Sequence, residues 1–188
     1  MVSQRLYFAG EPRGHNLSDR NLSAHMAENT LPQHTPLLGD TEYDAALDTA
    51  LAKARRSIRI FEHTLGRGYN SPQRFDLLRR FLLASQRNRL QIVVHEPRTI
   101  DRNCPRILNL LRLHSHAISI HETHSNAKSV YDPFAVVDDH SFVHRFHFDE
   151  MRGLLALDDP IGTHTLAERF DEIWEASSPT VAATTIGL

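Results

Sequence analysis

The chain has 188 residues, 40% of them hydrophobic and 23% charged, with a formal net charge of −2. That is ordinary material for one globular core, too little for two full-sized domains, and it holds no apolar run of the roughly 18–20 residues a membrane span requires. The lone cysteine, Cys104, excludes an internal disulfide and a cysteine metal cluster, and without a signal-like apolar stretch near Met1 the expected setting is reducing and cytoplasmic.

Residues 1–39 read as a loosely ordered N-terminal segment, rich in Gly, Pro, Asn, Ser and His, in which no apolar period persists. From residue 42 to 56, Leu47, Ala50, Leu51 and Ala54 share one helical stripe. Asp40 or Thr41 suits its cap, and Arg55 and Arg56 suit its negative end. Residues 57–61, Ser-Ile-Arg-Ile-Phe, are a β-branched strand pattern. Gly66, Gly68 and Asn70 mark a loop, and Ser71-Pro72 a helix start, with Phe75, Leu78, Phe81 and Leu82 as the buried face. A second strand at 90–94, a helix at 103–113 and a third strand at 117–120 follow.

This alternation predicts a parallel sheet with crossover helices. The pattern then changes. Residues 134–137 and 141–143 flank Asp138-Asp139-His140 as a β-hairpin. A strand at 153–157 is stopped by Asp158-Asp159-Pro160, and a closing helix runs from near Thr163 to Ala176, with Leu166, Phe170, Ile173 and Trp174 apolar. The expected fold is one α/β domain over residues 40–178, a mixed sheet flanked by helices on both faces, with residues 179–188 as a tail.

Charge is unevenly spread. Residues 53–112 hold 14 Lys and Arg against Glu62, Asp76, Glu96 and Asp101, a balance of +10 that leaves −12 for the rest. Such a segment can form an anion-binding face, or place Arg on solvent sides of helices opposite acids from the C-terminal part. The 13 histidines also have a pattern, since the three parallel strands end in Glu62-His63, His95-Glu96 and His121-Glu122. Ligands of open α/β sheets bind outside the carboxyl ends of the strands. The three pairs therefore offer acid–base groups or ligands for a divalent metal, the one cofactor such residues would hold. Alternatively they close strand ends by hydrogen bonding to loops. His144, Arg145 and His147 follow the hairpin, and Asp138 lies in its turn. The candidate catalytic residues are thus His63, His95, His121, His144 and His147. The candidate binding residues are Glu62, His63, His95, Glu96, His121, Glu122, Asp138 and Arg145.

The order of elements from about Thr41 to Ser178 resembles one half-domain of the phospholipase D superfamily. The likeness rests on a basic-ended helix feeding the strand at 56–60, the hairpin at 134–143, and the closing helix with Phe170-Asp171-Glu172-Ile173-Trp174. The resemblance implies phosphodiester chemistry through a His-x-Lys-x4-Asp signature, in which His attacks phosphorus and Lys holds phosphate. Aligned on Asp138, this chain has Tyr131 at the His position and Pro133 at the Lys position. A phenol with an ordinary pKa of about 10 is a poor nucleophile at neutral pH, and proline has no donor or charge. The expectation is a catalytically lapsed domain, acting as a binding or accessory module for a phosphate-containing ligand. Two alternatives stand beside it: a phosphodiesterase or nuclease using the His/Glu cluster, and Arg-mediated nucleic-acid binding. Because single-half members of the superfamily pair to complete one site, the resemblance also implies a homodimer.

Overall fold

A period of two in the apolar residues builds the sheet. In a computed structural model, which describes residues 31–181, eight strands form one sheet in the order β1-β7-β6-β5-β2-β3-β4-β8. The strands are β1 (Gln33–Leu38), β2 (Ser57–Glu62), β3 (Arg89–Val94), β4 (Ile118–Thr123), β5 (Phe134–Val137), β6 (Ser141–Arg145), β7 (Arg152–Leu157) and β8 (Ser177–Val181). The helices are α1 (Asp40–Leu51), α2 (Pro72–Ala84), α3 (Ile100–Asn103), α4 (Pro105–Leu113) and α5 (Pro160–Glu175). β2, β3 and β4 pair in parallel, and every other pairing is antiparallel.

Alternation along each strand sends side chains to two cores. Ile58, Ile60, Ile92, Val94, Ala135 and Val137 pack with α1, α2 and α4 on one face. Phe61, Val93, Phe134, Val136 and Phe142 pack against Leu166, Phe170 and Ile173 of α5 on the other. The expected α/β architecture, a mixed sheet with helices on both faces, is thus observed.

Several local expectations hold. Ser71 caps α2, its side chain accepting from the Arg74 N–H at 3.1 Å, with Pro72 in the first turn. The hairpin β5–β6 turns through Asp138, whose φ is 54°. Others need correction. α1 ends at Leu51, so Arg55 and Arg56 are not its last turn; their backbone N–H groups bind Asp138 instead. Gly39, at φ 93°, precedes α1 without a side-chain cap; Glu42 reaches back to the Leu38 N–H at 2.7 Å. The helix expected over 103–113 is two, broken at the buried Cys104. α5 begins at Pro160, three residues before Thr163, because the Asp159 side chain accepts from the Gly162 N–H at 2.9 Å.

Two strands lie outside the expected elements. β1 occupies residues 33–38 of the segment read as loose, and β8 reaches into the expected tail. Both are edge strands containing a proline, Pro36 and Pro179. The rest of the expected N-terminal segment, 1–30, and of the tail, 182–188, lies outside the described residues. Among the described residues no helix is long and apolar enough to cross a membrane.

Candidate functional site

The carboxyl ends of β2, β3 and β4 form a rim with the start of β5 and the end of β6, because β5 runs antiparallel to β2 with Phe134 opposite Phe61. Tyr131 and Pro133 lead into β5 at this rim, and Arg145 and His147 leave β6 at the same end. The backbone ties the two segments together: the Arg145 N–H donates to Pro133 O at 2.8 Å and the Phe148 N–H to Tyr131 O at 2.8 Å.

Strand alternation separates the predicted His–Glu pairs. His63, His95 and His121 follow the face covered by α5, whereas Glu62 and Glu122 follow the opposite face. Of the three imidazoles only His63 and His95 meet, with ring centroids 5.5 Å apart. His95 is buried and internally satisfied. Its Nε2–H donates to Val130 O at 2.7 Å, and the Thr123 hydroxyl donates to Nδ1 at 2.6 Å. Burial holds its pKa below the usual imidazole value, which favours this neutral tautomer. His121 is drawn into α5, stacked on Trp174 at 3.7 Å, with Nδ1–H donating to Ser177 Oγ at 3.0 Å. Burial lowers its pKa also.

His144 belongs to a charged chain on the α5 face. Its Nε2 lies 2.9 Å from Asp132 Oδ2, and Arg169 of α5 donates to Asp132 Oδ1 at 2.5 Å. Asp132 is held below the usual carboxylate range: burial opposes this, and the His144 bond and the Arg169 charge outweigh it. His63 and His147 both stack on Phe148, at 4.6 and 4.8 Å, and Tyr131 lies 5.7 Å from His147. Glu96 is exposed, and Glu122 lies 3.7 Å from Lys128 Nζ. The rim is therefore an aromatic–imidazole surface. Among the described residues no three His, Cys, Asp or Glu side chains gather as a metal site.

Glu62 enters a second, polar neighbourhood under the rim. The Tyr69 hydroxyl donates to its Oε1 at 2.7 Å. Burial pushes its carboxyl up to about 7, against the lowering effects of the Tyr69 bond and of Arg145 and Arg74. Arg145 is 2.8 Å from Asp40 and lies over the Tyr43 ring at 4.3 Å. Arg74, 1% exposed, is held by Asp48 at 2.7 Å and Asp44 at 3.0 Å. Sequence reading missed this group, since Tyr43, Asp44, Asp48, Tyr69 and Arg74 sit in helical and loop positions without a motif.

Asp138 departs from the expected binding set. It lies at the far end of β5 from the rim, where its carboxylate accepts from the Arg55, Arg56 and Ser57 N–H groups at 2.9, 2.8 and 2.9 Å. Its role is to hold the hairpin turn against the start of β2.

A family model described as Domain of unknown function (DUF7931) matches residues 40–183. No curated protein matches the chain. Solved structures of similar shape include Nuc from Salmonella typhimurium, a phospholipase D family member, at 16% identity and TM-score 0.59, covering 80% of this chain and 99% of that one. Phosphatidylserine synthase from Haemophilus influenzae is similar at 14% identity and TM-score 0.55, over 84% of this chain and 42% of its own. TrmBL2, an archaeal chromatin protein with a novel mode of DNA binding, is similar at 9% identity and TM-score 0.59, over 87% of this chain and 57% of its own. The fold is thus phospholipase D-like.

Proposed function

The chain belongs to the DUF7931 family, and we propose that its phospholipase D-like fold serves as a binding or accessory module for a phosphate-containing ligand rather than as a phosphodiesterase. One observation carries this reading. Counted back from Asp138, the nucleophile and phosphate-clamp positions of the superfamily signature fall on Tyr131 and Pro133, at the rim. Tyr131 is 50% exposed and packs beside His147 and Phe148, and Pro133 supplies no donor. The neighbouring cations are engaged, Arg145 by Asp40 and Arg169 by Asp132. The conserved shape of a fold does not carry its chemistry when the reacting groups differ.

A second reading has one observation in its favour. His144 is oriented by the Asp132 carboxylate, the arrangement by which a general base is held in place. Nitrophenol release from bis-p-nitrophenyl phosphate by the full chain separates the two. The expected result is no turnover above the buffer rate. Turnover abolished by Tyr131→Phe would overturn the proposal, and turnover abolished by His144→Ala, His63→Ala or His95→Ala would establish the rim histidines as an active site.

A further inference from the structure

The opposite end of the parallel strands holds a cavity of about 630 Å³, walled by the start of β2, the β5–β6 turn and the first two turns of α5. Arg56, Arg59, Asp139, His140, Thr163 and His164 contribute to its lining. None belongs to the rim.

Two orphaned polar atoms mark this cavity. Among the described residues three buried side-chain N or O atoms have no hydrogen-bond partner, and two of them, Arg59 Nε and Thr163 Oγ1, belong to residues of this one lining. Thr163 is 0% exposed. Buried donors without partners are rare in native proteins, and each calls for an acceptor. Arg59 stands on the face of β2 covered by α5, and its guanidinium comes only within 3.8 Å of Asp171, a distant ion pair. Thr163 lies in the first turns of α5, whose N-terminal end is capped by the Asp159 carboxylate.

The remaining charges suit an anion seated inside. Arg56 is paired with Asp139 at 2.7 Å, but both side chains are 70% exposed, and such a pair is weak and exchangeable. The Asp138 carboxylate is occupied by three backbone N–H groups. His164 bonds Glu168 outside the cavity, and His140 bonds Ser141. A guanidinium N–H and a hydroxyl are donors that recognise a tetrahedral oxyanion.

We infer that this basal cavity binds the phosphate group of a small phosphorylated molecule, with Arg59 Nε–H and the Thr163 hydroxyl as donors and Arg56 as the cation at the mouth. The site deepens the reading above, on which it rests for the class of ligand alone. Its volume matches that of small-molecule sites, which run from about 300 to 1,000 Å³. A nucleic-acid backbone fits it poorly. Asp139 and Asp158 line this cavity and its neighbour, Asp171 stands beside Arg59, and an extended polyanion would meet all of them.

The test is calorimetric titration of the full chain with inorganic phosphate, adenosine monophosphate and a 20-mer DNA duplex at low ionic strength. Adenosine monophosphate is expected to bind, with phosphate competing. Arg59→Gln and Thr163→Val are each expected to weaken binding at least tenfold, and the rim variant Tyr131→Ala to leave it unchanged. Thr163→Val keeps the shape of the side chain, so a loss of binding in a chain of unchanged melting temperature reports the hydroxyl itself. Binding lost in Tyr131→Ala and retained in Arg59→Gln would overturn the basal site while leaving a binding module. Absence of binding by either phosphate compound would also overturn it, whatever the hydrolysis assay returns, as would DNA binding tighter than that of the mononucleotide.

Discussion

Glu62 is the residue whose neighbourhood most changes its chemistry. It ends β2 on the face away from α5, with Tyr69 donating to it, and desolvation pushes its carboxyl up to about 7 from an ordinary 4.5. The folded state therefore holds a proton on Glu62 that the unfolded chain releases. Its contribution to stability is full below about pH 4.5 and is lost as pH rises through about 7. Glu62→Gln keeps an acceptor for Tyr69 and removes the charge. It is expected to flatten the pH dependence across that window and to stabilise the protein at pH 8 by on the order of 1–3 kcal/mol, the upper end being tempered by the partial exposure of the side chain. His95, lowered by burial, acts in the opposite sense, so the comparison is variant against parent at each pH. Urea unfolding at pH 5 and pH 8 measures it. Parallel curves for the two chains would mean that the carboxylate is solvated in the fold.

At the scale of elements, the β5–β6 hairpin is joined to the sheet by one carboxylate. Asp138 accepts from three successive N–H groups as the chain enters β2, and its own N–H donates to Ser57 O at 2.9 Å. Without it, three donors at the start of the central strand lose their acceptor. Asp138→Ala also places a Cβ residue at φ 54° without the local hydrogen bonding that makes this conformation tolerable for Asp. The expected cost is roughly 3 kcal/mol. In a domain of this size that lowers the melting temperature by about 6–12 °C. Asp138→Asn, which retains one acceptor oxygen and tolerates the turn, is expected to recover part of the loss. Thermal unfolding followed by circular dichroism decides it, and an unchanged melting temperature in Asp138→Ala would remove the carboxylate from the support of the hairpin.

For the whole molecule, tertiary pairing redistributes the uneven charge of the sequence. Arg56 and Arg59 face Asp139 and Asp171 from the C-terminal part, Arg74 is enclosed by Asp44 and Asp48, and Arg79 and Arg80 meet Asp76 on their own helix. In these pairs five of the fourteen basic residues at 53–112 meet acids. The rim, by contrast, presents exposed Tyr131 beside His147 and exposed Phe146 beside His144. We propose that two copies pair through this surface in an isologous contact, as the resemblance to single-half phospholipase D superfamily members implies. Light scattering at neutral pH is expected to give a dimer mass. A monomer at every concentration would end the pairing.

The sequence by itself determined the central architecture, because local signals sufficed there. The β-branched runs of β2 and β3, the Ser71-Pro72 start of α2 and the apolar stripe of α5 announce themselves within a few residues. The absence of His and Lys at 131 and 133 is likewise a property of the chain. The tertiary structure alone decided the edges, since β1 buries only Leu37 and takes its form from hydrogen bonding to β7 rather than from any period of its own. It also decided the site. The strand-end His–Glu pairs look alike in sequence, yet strand alternation divides them between faces and packing against α5 claims His121. Arg59 and Thr163, more than a hundred residues apart, lie on one cavity only because α5 crosses the sheet above β2. Period and propensity are short-range quantities, whereas convergence of side chains depends on which strands become neighbours and which face each residue is given.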